Sequence, residues 1–188
     1  TKMSKNPLQS RTCVLGLDIS TSITGATLLD VDSNILLCEA WDTRNKNKFP
    51  NIYEKAKLIQ IKLQQIENNY QIEEIYIEQS LHSFKSGFSS AQVLSTLSRF
   101  NGIISWISFN TFGKFPNLIA ATTARKQSGI KIQKGTKAKE QVLQYVLDNL
   151  PDIAIEYTKH GNPKPGSYDR ADSWVIAKAG LELWKQKN

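Results

Sequence analysis

At 188 residues the chain is long enough for one domain with a substantial core, and 40% hydrophobic with 22% charged residues is the balance of a globular protein. No apolar run approaches the roughly 20 residues that cross a bilayer as a helix, which argues against a membrane protein. Lys and Arg number 24 against 17 Asp and Glu, a net charge of +7 that favours a polyanionic partner.

In chain order, TKMSKNPLQS at residues 1–10 is polar and lacks the apolar stretch of a secretory signal, which predicts a flexible arm before one domain over residues 11–188. CVLGLDIS (13–20) is a short apolar run with an acid near its end, a central strand. TGATLLDVDSNILLCEAW (24–41) reads as two strands around an Asp-Ser-Asn turn, hence a hairpin. Residues 51–69 place Ile52, Ala56, Ile59, Leu63 and Ile66 at helical spacing. IEEIYIEQS (72–80) is a strand with another terminal acid, Glu78. SSAQVLSTLSRFNGIISWISF (89–109) opens on serine caps and is apolar on several faces, predicting a buried helix packed in part against a second subunit. NLIAATTA (117–124) reads as a further strand, and GTKAKEQVLQYVLDNL (135–150) as an amphipathic helix ending before Pro151. A Gly/Pro-rich loop, KHGNPKPGS (159–167), leads to a last helix that begins YDRADSWVIAKAG (168–180). Trp106, Trp174 and Trp184, at helical spacings, read as core or interface residues. Cys13 and Cys38 show no metal-type spacing and read as buried free thiols. The order of elements predicts an α/β fold with a central sheet flanked by helices.

Asp18, Glu78 and the pair Asp169 and Asp172 stand at the ends of these elements. Residues three apart share a helix face, so Asp169 and Asp172 point the same way, and their like charges repel unless something positive lies between them. In an open α/β sheet, strand ends and helix ends converge on a site. Hydrolysing a phosphodiester with divalent ions needs hard oxygen ligands, and two ions roughly 3.5–4 Å apart can flank a scissile phosphate. Converging carboxylates suit that task.

The order of these acids resembles that of RuvC-type Holliday-junction resolvases, within the RNase H-like superfamily. LGLDISTSITG (15–25) resembles the first strand with its catalytic Asp, IYIEQSLHSF (75–84) the strand-end Glu motif, and YDRADSWVIAKA (168–179) the C-terminal helix with two Asp separated by two residues. ARKQSGIKIQKGTKAKEQV (124–142) resembles the basic segment between them. The match runs over residues 13–183. It implies an RNase H-like fold with a mixed central sheet. It also implies a metal-dependent endodeoxyribonuclease that resolves four-way DNA junctions by paired symmetric nicks, leaving 5′-phosphate and 3′-hydroxyl ends. Asp18, Glu78, Asp169 and Asp172 would be the catalytic and metal-binding acids, holding two Mg²⁺ or Mn²⁺ ions. Lys126 and Lys139 would assist catalysis or bind the backbone, and Lys131, Lys134 and Lys137 would contact phosphates. Leu81 falls where the family inserts an apolar residue near the junction centre, with Phe84 and Lys85 beside it as further DNA contacts. The resemblance also implies a homodimer and an intracellular, DNA-associated protein. Residues 151–167 form a longer stretch than the family usually carries.

Taken singly, each acid has a plainer reading: Asp18 as a turn cap, Asp169 and Asp172 as helix N-terminal acids favoured by the macrodipole. His82 and His160 read as surface-loop residues. A non-catalytic DNA-binding relative that keeps the fold would keep the lysines without needing all four acids, so the intact set argues against it; two further functions remain open at this level. One is another RNase H-like nuclease acting on flaps, branched DNA or RNA–DNA hybrids. The other is an actin-like or sugar-kinase-like ATP-binding domain, because GLDISTSITG also resembles the phosphate loop of that superfamily. The 188 residues show no internal duplication to supply that superfamily's second domain.

Overall fold

In a computed structural model, residues 11–79 and 90–188 are described. Five strands and five helices follow in the order β1 (Thr12–Asp18), β2 (Ile23–Asp30), β3 (Ile35–Asp42), α1 (Ile52–Asn69), β4 (Gln71–Glu78), α2 (Ala91–Phe112), β5 (Asn117–Ile119), α3 (Ala121–Gln127), α4 (Ala138–Asn149) and α5 (Ser167–Lys187). One sheet has the order β3-β2-β1-β4-β5. The first three strands are antiparallel, while β4 pairs parallel with β1 and β5 parallel with β4. This is the mixed α/β architecture expected from the sequence. Among the described residues no helix is long and apolar enough to cross a membrane.

Strand side chains alternate between faces, and that alternation divides the core. Leu15, Leu17, Leu28, Ile75 and Ile77 face α1 and α2, joining Ile59, Leu63, Phe100 and Ile104. Val14, Leu29 and Tyr76 face the other way, against Val142, Val146, Trp174 and Val175 of α4 and α5. Even-numbered positions of β1 and β4 therefore look toward α5, and Asp18 and Glu78 belong to that set. The helix lies close to the sheet because β1 carries Gly16 there: a Cβ at Gly16 would stand 2.7 Å from the Cα of Ala177.

Local signals set most boundaries. Asn51 caps α1, its Oδ1 accepting from the Glu54 N–H at 2.9 Å. Ser90 caps α2, its Oγ accepting from the Val93 N–H at 3.2 Å, and Gly113 ends that helix with φ 68°. The strand expected over 117–124 is corrected. Only Asn117–Ile119 pairs with β4, and the chain then turns into α3. Three residues suffice for an edge strand, whereas the alanines that follow favour a helix that buries Ala124 against α5 and lets the Ser128 hydroxyl donate to the Val175 carbonyl at 2.9 Å. Trp174 is buried and Trp184 partly so, but Trp106 is 62% exposed on a face of α2 that also presents Phe109, three residues on. Both cysteines are free, Cys13 buried and Cys38 half-buried. The arm expected over 1–10 lies outside the described residues.

Candidate active site

The acids meet at one edge of the sheet. Asp18 closes β1 and Glu78 closes its parallel neighbour β4, where Leu17 pairs with Ile77. Asp18 is paired across the antiparallel ladder with Gly25 of β2. Gly25 lies directly beneath the backbone of Asp169, and a Cβ there would stand 2.7 Å from the Asp169 carbonyl carbon. The first turn of α5 thus rests on the strand beside Asp18. A buried hydrogen bond of 2.7 Å between the Thr27 and Ser173 hydroxyls holds the same helix one turn on. From the opposite face, the buried Asn101 side chain of α2 donates from Nδ2 to the Glu78 carbonyl at 3.2 Å, and the Gln79 N–H donates to Ile119 O at 2.8 Å.

Burial first, then the neighbouring charges of Glu78 and Asp172, hold the Asp18 carboxyl well above its ordinary range, and a hydrogen bond with the Glu78 carboxyl acts in the same direction. Asp172 is pushed up to about 7, by burial foremost and then by Glu78 and Asp169, against the opposing pull of Lys139 and Arg125. Asp169 is raised by burial, countered by its own backbone N–H, Lys139, Arg170 and Arg44. A helix N-terminus ordinarily favours ionised acids by roughly 0.3–1 kcal/mol. Here burial, joined at Asp172 by the neighbouring carboxylates, outweighs it.

Glu78 and Asp172 line a cleft of about 170 Å³ with Arg125 and Lys139, space for several waters at roughly 30 Å³ each. Among the described residues no three Asp, Glu, His or Cys side chains stand ready around one point for a metal ion. The carboxylates form a mutually repelling cluster rather than a preassembled cage. Its donors are carboxylate oxygens, hard ligands of the type that Mg²⁺ and Mn²⁺ take. The excess of crowded acids over local cations is the condition a divalent ion relieves, so the donor set fits such an ion.

Lys139, in the first turn of α4, has Nζ 4.2 Å from the centroid of the Tyr168 ring, a cation–π contact that steadies it near Asp169 and Asp172. Lys126 does not line this cleft; it borders a neighbouring groove with Lys131. Arg125 takes the place beside the acids instead. Lys134 and Lys137 are exposed on the approach to α4. His160 is exposed. Leu81, Phe84, Lys85 and His82 lie outside the described residues. No sequence signal singles out Arg125, which follows directly on the 117–124 segment. On a helix, positions 121, 124 and 125 share one face, and that face lines the cleft.

The mixed 3-2-1-4-5 sheet with α5 laid across its acidic edge is an RNase H-like fold. Solved structures share it. That of T. thermophilus RuvC in complex with Holliday junction substrate matches with a TM-score of 0.65 at 16% identity, over 93% of this chain and 96% of that one. Thermus thermophilus RuvC alone matches with a TM-score of 0.62 at 15% identity, over 93% and 96%. The yeast mitochondrial Holliday junction resolvase Ydc2 matches with a TM-score of 0.58 at 15% identity, over 96% and 82%. No protein-family model matches the sequence, and no curated protein matches it. At these identities the likeness is one of fold.

Proposed function

We propose that this chain is a metal-dependent endodeoxyribonuclease that resolves four-way DNA junctions. One observation carries the reading: Asp18 and Glu78, from neighbouring strand ends, share a hydrogen bond within the field of Asp172 and Asp169, on a fold common to RuvC and Ydc2. Asp18, Glu78, Asp169 and Asp172 would hold one or two Mg²⁺ or Mn²⁺ ions. Ions held there would supply the charge that activates water and stabilises the leaving 3′ oxygen. The protein's own groups do the rest. Arg125 and Lys139 face the non-bridging oxygens of the scissile phosphate and offset charge that builds there. Asn101 fixes the backbone of Glu78, and Gly25 lets α5 bring its two acids over Asp18. Lys126 and Lys131 take phosphates farther along the strand, and Lys134 and Lys137 add backbone charge, so that affinity is largely electrostatic. Leu81, Phe84 and Lys85, a few residues after Glu78 in the sequence, would contact the junction, with Leu81 at the position the family uses near its centre. Two symmetric nicks need a two-fold arrangement, and the exposed Trp106 and Phe109, three residues apart on one face of α2, offer an apolar surface for a second copy.

A panel of synthetic substrates tests this reading: a four-way junction, a flap, a duplex and an RNA–DNA hybrid, each with Mg²⁺. Paired symmetric nicks in the junction, with 5′-phosphate ends, are expected. Preferential cutting of flaps or hybrids would move the chain to another RNase H-like activity, and no cutting of any substrate would refute the nuclease reading.

A further inference from the structure

The sheet edge that carries the acids also carries a basic segment after β3. After β3 the chain runs DTRNKNKF at residues 42–49, and its own hydrogen bonds order it. The Thr43 N–H donates to Ser22 O at 2.9 Å, and its buried hydroxyl donates to Thr21 O and Ser22 O at 3.1 Å each. The segment is thereby stitched to the turn that follows Asp18. Arg44 is locked against Asp42, with Nε donating to Oδ1 at 3.0 Å and a terminal nitrogen donating to Oδ2 at 2.7 Å. The Asn45 side-chain oxygen accepts from the N–H groups of Asn47 and Lys48 at 3.0 and 3.2 Å. Lys46 and Lys48 are exposed, and neither forms an ion pair among the described residues. Arg44 and Lys48 border an open groove of about 500 Å³ floored in part by Phe49, and the charge of Arg44 reaches Asp169.

We propose that residues 44–48 form a second backbone-phosphate site, which takes the nucleic-acid strand on the β3 side of the acid cleft, opposite Arg125, Lys126 and Lys131. The proposal rests on the nuclease reading and deepens it by giving the strand a path. In the order β3-β2-β1-β4-β5 the acids occupy the middle of the edge, with a cationic segment toward each end. From β1 to β3 is two strand spacings, about 10 Å, or roughly three nucleotides at 3.4 Å of axis each. Three cations against Asp42 leave this segment at +2. A clamped guanidinium and two free ammonium groups present charge without a base-reading geometry, so the contact is sequence-independent. A strand held at both ends lies across the carboxylates rather than beside them.

Binding of the full chain to a four-way junction, followed against salt concentration in EDTA so that the strands stay uncut, tests this. Lys46→Ala/Lys48→Ala is expected to flatten the log–log salt dependence by about 2, and Lys48→Ala alone by about 1, equally for junctions of unrelated sequence. Lys185→Ala/Lys187→Ala, on the opposite edge of the sheet, is expected to keep the wild-type slope. A wild-type slope in the 46/48 double variant overturns the proposal, as does an equal flattening by the 185/187 variant. Loss of inorganic phosphate or ATP binding in the double variant, with its DNA slope intact, would make the groove a small-phosphate site and also overturn it. Failure of the wild-type chain to bind branched DNA at all would instead strike the nuclease reading itself.

Discussion

Gly25 and Asp169 are in backbone contact, although they lie on the second strand and the last helix. Gly25 is also the ladder partner of Asp18, so this single contact sets how far the acids of α5 stand from the acid of β1. A methyl group at Gly25 must push the α5 N-terminus outward.

Gly25→Ala is therefore expected to cost about 1–3 kcal/mol of stability through overpacking and to reduce cleavage by more than the stability loss accounts for at a temperature where the variant is folded. Gly102→Ala is the control. Nothing lies within 4 Å of its added methyl, it is exposed within α2, and the change should stabilise by about 0.5–1 kcal/mol without altering cleavage. Thermal melts and single-turnover rates check both.

Arg125 and Lys126 are neighbours in sequence with different surroundings. Arg125 lines the cleft with Glu78 and Asp172, and Lys126 the adjoining groove. Arg125→Ala should lower kcat by about 10²-fold or more, the range seen when one stabilising donor is removed. Lys126→Ala should mainly weaken junction binding and flatten its salt dependence by about one. Equal effects on kcat would show that the two cations share one task.

Without metal, the acid cluster makes the protein less stable as pH rises. Asp172 sits at about 7 in the folded chain, against roughly 3.9 when unfolded. Asp18 and Asp169 are displaced in the same direction. Between these values the folded state binds more protons, so its stability is greatest at low pH and is lost as pH rises toward 7. Asp30, Asp42, Glu156 and Glu182 are lowered, and their contribution is lost only as pH falls below about 4. In EDTA the melting temperature should drop by several degrees from pH 5 to pH 8. Asp172→Asn should reduce that drop, and Mg²⁺ should raise the melting temperature most at the high-pH end, releasing protons as it binds. Melting curves across this range decide it. A metal-free protein that gains stability from pH 5 to 8 would contradict the crowded-acid description.

The α2 face with Trp106 at 62% and Phe109 at 41% exposure is expected to be covered in solution by a second copy. Trp106→Lys is expected to shift sedimentation from dimer to monomer and to uncouple the two nicks of the junction, with single nicks persisting.

The division of labour along the chain explains what could be read from the sequence. Asp18 is the one charge of an apolar strand and Glu78 closes the apolar end of β4, while Asp169 and Asp172 are marked by their spacing. The hairpin and α1 followed from turn residues and periodicity alone. Arg125 was hidden because ATTARKQ has no strong period: its helix is decided by packing of Ala124 on α5, a tertiary fact. Asn101 and Gly25 were equally silent. A buried amide in an apolar helix and a glycine in a strand acquire meaning only when Glu78 and Asp169 are seen against them.

The most direct measurement is single-turnover cleavage of a four-way junction with Mg²⁺ by the wild-type chain and by Asp18→Asn, at protein concentrations that saturate the junction. The account predicts a fall of about a thousandfold or more in the variant, with junction binding retained. Undiminished cleavage by Asp18→Asn would contradict it.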